Sequence, residues 1–339
     1  MICKLCQEKE ANKKNTHYLT DAIIRNCLNQ DGSNERENGF YFSMDNLSPF
    51  LDFNFQRGTS VEKLEKELGR EPTEEEIQKA MDIPFSVDFI FCQDCEKIFT
   101  DIETPFLEKI LPNFRSKDLS KTDEICFDKD LAIICYCFFY LQVWRTAICE
   151  DIFNLEDDTM EKMRKLILSK RNLELEMINF PIHVTYLETL GGKKAYTENY
   201  VFMTDDRNPN IIFMNDFVLQ FFEDKKSINI IDFHGLNSSG EFENLINIDT
   251  NQFCIKIMHN EERKKLLYEI VKQEKVKNTT AHYRKTFTLQ WFHTTGKFPN
   301  LKLIDEYIYF LTEGDFDILR YTEETITKKT ISFIESKVR

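Results

Sequence analysis

Two Cys-x-x-Cys pairs carry the clearest chemistry in this sequence. Cys3 and Cys6 stand in "MICKLCQEKEA", and Cys92 and Cys95 in "FIFCQDCEKIF". Two residues between thiols let one tight turn aim both sulfurs at a single ion, and two such turns complete a tetrahedral four-thiolate zinc site. Cys3, Cys6, Cys92 and Cys95 are therefore expected to hold a structural zinc. Metal binding at such a site is also folding free energy, on the order of 10 kcal/mol. The other reading is four free thiols in a core; the paired spacing favours the metal.

The flanks of the two pairs suggest how they are positioned. "CKLCQEKEA" is polar and turn-like, as a zinc knuckle would be. "FIFCQDCEKIFTDIETPFLEKIL" starts as a short apolar strand and turns helical, with Phe99, Ile102, Phe106 and Ile110 at helical spacing. A knuckle, a hairpin and then a second pair at a helix start is the layout of a treble-clef zinc finger. The long excursion from Cys6 to Cys92 holds a short amphipathic helix, "THYLTDAIIRNCLNQ", and a polar loop, "DGSNERENG". Next come two charged helices in "SVEKLEKELGREPTEEEIQKAM", broken at Arg70–Pro72, with Thr73 as the second N-cap.

The string "CKLC…THYLTDAIIR…FIFCQDCEKIFTDIE", followed by "FFYLQVWRTAIC", resembles a large group of bacterial HNH-like proteins. Their pattern is CxxC, Ser-His-Ile-Ile-Pro, LCxxCExxFxxxE and a later Trp-Arg in an apolar helix. The resemblance covers roughly the first 150 residues. The wider group, the His-Me finger nucleases, cuts DNA or RNA with one divalent ion on a treble clef. That chemistry needs a histidine base, a hard metal and hard ligands for it. The resemblance implies His17 as the base, Glu96 as a second catalytic group, and Glu103, about two helical turns further on, as a ligand for Mg or Mn. This chain departs from the pattern at three places: Thr16 replaces Ser or Asp, Thr20 stands near the proline position, and neither His nor Asn follows Cys95. Two functions follow from the resemblance. One is a divalent-metal-dependent nuclease in bacterial defence that acts on nucleic acid. The other is a catalytically inactive zinc scaffold that docks a protein partner.

Composition bounds these readings. The 339 residues carry a net charge of −14 and 42% hydrophobic residues, with 30 Phe and only 10 Gly. Such a chain buries a core and offers no general positive field to nucleic acid, so any such contact must use a local patch. The first residues show no apolar export segment, and the longest apolar run, 131–141, is shorter than a membrane span. No membrane association is expected. Ten cysteines without an export segment point to a reducing, bacterial-type cytoplasm where thiols pack or bind metal rather than pair.

Beyond the first region, "CYCFFYLQVWRTAICEDIF" places Tyr136, Phe139, Tyr140 and Val143 on one stripe with Trp144, which reads as core. Arg145 suits either a carboxylate or a phosphate, and Cys135, Cys137 and Cys149 read as buried thiols. An amphipathic helix with a basic middle, Lys162 to Arg171, follows. From Phe180 the pattern changes to strands such as "FPIHVTYLETL" and "NIIFMNDFVLQFF", and helices return from "NEERKKLLYEIV". His183, His234, His259, His282 and His293 are scattered, and there is no HExxH, GxSxG or phosphate loop. The expected fold class is α+β. Residues 1–115 form the treble-clef zinc domain with a long helical insertion, and 116–179 a helical middle. Residues 180–339 form an α+β domain with an antiparallel sheet of about five strands and flanking helices.

Overall fold

The computed structural model describes residues 1–25, 27, 40–43, 52–55, 60–169, 180–188, 199–204, 209–228, 236, 245–248, 251–312 and 323–338. The architecture is mixed α and β: an N-terminal cysteine cluster, a helical middle, and a sheet flanked by helices. The polar loop at 31–39, Lys170, Arg171 and His234 lie outside the described residues.

In chain order the elements begin with β1 (Thr16–His17), α1 (Asp21–Ile24), β2 (Phe40–Ser43) and β3 (Asp52–Phe55), followed by α2 (Val61–Leu68), α3 (Glu74–Lys79), β4 (Ser86–Val87) and α4 (Gln93–Lys109). Then come α5 (Pro112–Arg115), β5 (Glu124–Asp128), α6 (Asp130–Cys149) and α7 (Asp157–Leu168). The sheet strands β6 (Ile182–Leu187), β7 (Tyr200–Met203), β8 (Asn210–Asn215), β9 (Phe217–Phe221) and β10 (Gln252–Met258) precede α8 (Asn260–Thr295), α9 (Leu301–Thr312) and α10 (Glu323–Val338). The chain forms two compact units, Met1–Tyr41 with Phe55–Leu267, and Phe42–Asn54 with Tyr268–Arg339.

The two charged helices form as the sequence suggests. Ser60 caps α2, and Thr73 and Glu76 close a reciprocal capping box on α3. Gly69 ends α2 with φ +67°, the left-handed conformation that glycine adopts without a Cβ clash.

Helix α6 is the centre of the first unit. It is apolar on every side, so it must be enclosed on every side. Its residues from Cys135 to Thr146 are all buried. On one flank Phe138 stacks on Phe106 of α4 with ring centroids 3.7 Å apart. On the other, Phe139 stacks on Phe253 of β10 and Tyr140 donates to the Phe180 carbonyl at 2.6 Å. Trp144 is 1% exposed and lies against Phe91 and Phe99, as its stripe predicts. By length and composition α6 could cross a membrane, although the run at 131–141 alone reads as too short; here 72% of its most apolar window is buried inside the fold.

The sheet departs from expectation in two respects. Among the described residues it has six strands in the order β5-β10-β6-β9-β8-β7, and β10 pairs with β6 in parallel while the other pairs are antiparallel. Its edge strand β5 comes from the segment expected to be helical. "EICFD" is too short and too polar to announce a strand, and it is held by pairing from Glu124↔Lys256 to Asp128↔Gln252. At the centre of that pairing Cys126 and Cys254 form a disulfide, in contrast to the expected unpaired thiols.

In the second unit, α8, α9 and α10 bury Tyr283, Phe287, Tyr307, Leu311 and Phe333 together. Phe287 stacks on Tyr307 at 4.3 Å, and the Tyr307 and Thr330 hydroxyls share a 2.6 Å hydrogen bond.

Candidate metal centre

The knuckle is built by backbone bonds that its sequence permits. Cys3 N–H donates to the Lys9 carbonyl at 2.8 Å, and Gln7 N–H to the Cys3 carbonyl at 2.9 Å, with Gln7 at φ +59° to make the turn. Lys4 N–H bonds to the Ile90 carbonyl and Lys13 N–H to the Phe91 carbonyl, which stitches the knuckle to the chain entering α4. Between the two cysteine pairs, β1 and β4 pair antiparallel, Thr16↔Val87 and His17↔Ser86. Cys92 is the N-cap of α4 and Cys95 lies in its first turn. A helix N-terminus favours negative charge, so two thiolates are well placed there.

The four sulfurs meet. Cys3, Cys6, Cys92 and Cys95 place their Sγ atoms within 4.8 Å of one another; Cys6 is half-buried and the other three are buried. Cys6 and Cys92 Sγ are 4.0 Å apart. A tetrahedron with metal–sulfur bonds of about 2.3 Å has sulfur–sulfur edges of about 3.8 Å, so the cluster fits zinc with small adjustment. Cys92 N–H also donates to Cys3 Sγ at 3.3 Å. Burial pushes the Cys3 and Cys95 thiols up. Burial acts the same way on Cys6, but the backbone amides of Glu8 and Lys9, with hydrogen bonds from Cys3 and Cys95, together outweigh it and bring that thiol to about 7. A divalent cation at the centre would stabilise all four as thiolates.

Of the residues named for catalysis, Glu96 and Glu103 both feel the Arg145 charge, and His17 contacts Asp21. Thr16 is buried and its hydroxyl donates to Glu96 Oε2 at 3.1 Å. Burial pushes the Glu96 carboxyl up, partly offset by the Thr16 hydroxyl and the Arg145 charge. Neighbouring strand residues face opposite sides, and His17 Nε2 lies 3.8 Å from Asp21 Oδ1 on α1, with Arg25 also on Asp21. Glu103 accepts from the Thr20 hydroxyl at 2.7 Å and from Arg145 Nη2 at 2.5 Å. Among the described residues, the four thiols are the single group of three or more His, Cys, Asp or Glu side chains that could share one ion.

Asp21, Gln142 and Arg115 escape a reading of motifs, and the partner of Arg145 does too. Asp21 supplies the carboxylate beside His17, and its position four residues on was a usable signal. Arg145 and Gln142 of α6 anchor the hairpin side: Gln142 Oε1 accepts from Thr20 N–H at 3.0 Å and from Arg145 at 3.2 Å. Arg115 of α5 donates to the Ala22 and Ile23 carbonyls at the end of α1 and forms a two-point ion pair with Asp216 in the β8–β9 turn. No local pattern announces that last contact. Known proteins add no identification: no family model, no curated protein and no solved structure matches this chain.

Proposed function

We propose that this chain is a zinc-stapled scaffold. Its knuckle, β1–β4 hairpin and α4 form a treble-clef-type module of HNH-like layout that holds one structural zinc and presents its surface to a protein partner. The convergence of the Cys3, Cys6, Cys92 and Cys95 sulfurs within 4.8 Å carries this reading. Glu103 is engaged by Arg145 and Thr20, and Glu96 by Thr16, so both carboxylates already serve internal contacts.

A second reading, a nuclease dependent on Mg²⁺ or Mn²⁺, rests on the His17–Asp21 contact, which would orient a histidine base. One experiment separates the two. Purified protein is assayed for zinc by elemental analysis, then incubated with plasmid DNA and structured RNA in Mg²⁺ or Mn²⁺. The scaffold reading expects about one zinc per chain and no cleavage. Cleavage that is lost in His17→Ala while zinc content and folding persist would replace it with the nuclease reading. Absence of zinc would remove both.

A further inference from the structure

Cys126 and Cys254 belong neither to the metal centre nor to the apolar core. They lie directly opposite each other in the β5–β10 register, with Cα atoms 4.0 Å apart. Cys254 N–H donates to Asn247 Oδ1 at 2.6 Å, and its carbonyl accepts from Asn247 Nδ2 at 2.9 Å. Both backbone groups of Cys254 thus point away from β5. This makes Cys126 and Cys254 a non-hydrogen-bonded pair, the kind in which facing side chains come closest.

At this edge of the sheet their side is the polar one. Phe127, Phe253 and Ile255 enter the core beneath α6, with Ile125 packed against it. The alternate positions carry Glu124, Cys126 and Asp128 opposite Lys256, Cys254 and Gln252. Both cysteines are half-exposed, whereas Cys135 and Cys137 are buried. Packing does not require a cysteine at either place.

We propose that Cys126–Cys254 is a thiol–disulfide exchange site that takes a thiol co-reactant of the glutathione or dithiol class, with Cys126 Sγ as the sulfur attacked. Exchange needs a thiolate to approach in line with the bond it breaks. For a directly opposed pair that bond runs across the strands. Approach to Cys126 Sγ therefore comes from beyond β5, the outermost strand of the sheet, and approach to Cys254 Sγ comes over β6. The incoming thiolate forms a bond to Cys126 Sγ as the S–S bond breaks. Cys254 leaves as a thiolate and takes a proton from water. A second thiol then attacks the co-reactant sulfur of the mixed disulfide and releases Cys126 as a thiol. Two electrons and two protons reach the protein, and the co-reactant leaves as a disulfide. The product keeps the β5–β10 pairing but loses its covalent tie.

The test uses the full chain with its zinc in place. Air-exposed protein is treated under native conditions with dithiothreitol or with glutathione, trapped with an alkylating agent, and mapped by peptide mass. The Cys126 and Cys254 peptides should be linked before treatment. They should open in native buffer at a rate within about tenfold of that in denaturant. Glutathione should give its adduct mainly on Cys126. Dithiothreitol should also lower the Tm by roughly 5–10 °C, and this shift should vanish in Cys126→Ser, a substitution at a half-exposed position on the edge strand. Opening only after unfolding, an adduct mainly on Cys254, absence of the linked peptide, or a shift that persists in Cys126→Ser would each overturn the proposal.

Discussion

Arg145 on α6 and Glu103 on α4 meet at 2.5 Å with the Arg145 side chain only 3% exposed, so the guanidinium is almost wholly enclosed. Thr20 and Gln142 complete the group, and the guanidinium lies 5.2 Å from the Phe99 ring. The pair joins the chain that leaves β1, the helix that carries Cys95, and the central helix.

Breaking this pair from one side should be costly. Arg145→Met leaves Glu103 facing an apolar interior and is expected to lose about 3–5 kcal/mol. Glu103→Gln should lose less, because an amide oxygen can still accept from Arg145 and Thr20. The double variant should be less destabilised than the sum of the two. Urea denaturation of the four proteins measures this coupling, and strict additivity would show that the two side chains do not interact.

On the zinc-scaffold proposal, removal of the metal should unfold the N-terminal module before the rest. The knuckle from Cys3 to Lys9 has few apolar anchors besides Leu5, which is fully buried, so on that proposal its order depends on the thiolate centre. A strong chelator or Cys92→Ser should lower the melting temperature and speed protease cleavage between the knuckle and α4. Unchanged melting and cleavage would mean that packing alone holds the module.

Trp144 lies 1% exposed against Phe91 and Phe99. Trp144→Ala should cost about 3–5 kcal/mol through lost contacts and the cavity left behind. Trp144→Phe should cost clearly less. Equal losses in calorimetry would show that ring size is not what the site requires.

Acid should weaken the fold through His183. This residue is fully buried on β6 beside Gln220, and burial lowers its pKa from 6.5 to about 3. In the unfolded chain the imidazole takes a proton below about 6.5, whereas the folded chain resists it. Its contribution is therefore present above pH 6.5 and lost progressively as the pH falls toward 3. The slope from this residue is at most about 1.4 kcal/mol per pH unit. Stability curves of wild type and His183→Gln should converge as the pH falls through this window. Parallel curves would remove His183 as the source.

The sequence by itself determined whatever depends on near neighbours. Two residues between thiols are enough to aim both at one ion, so Cys3, Cys6, Cys92 and Cys95 were legible as a cluster. Thr73 and Glu76 were legible as a helix start, and Tyr136 to Trp144 as core, because caps and helical stripes act within a few residues. His17 and Asp21 fall in the same class once their spacing is noticed. Only the tertiary structure decided the partners of distant groups. Arg145 suited a phosphate as well as a carboxylate until α4 brought Glu103 to it. Arg115 reached Asp216, and β5 found β10 rather than extending the helical segment around it. Short polar strands and single charged side chains gain their free energy from whatever the fold sets beside them, and local spacing carries no record of that.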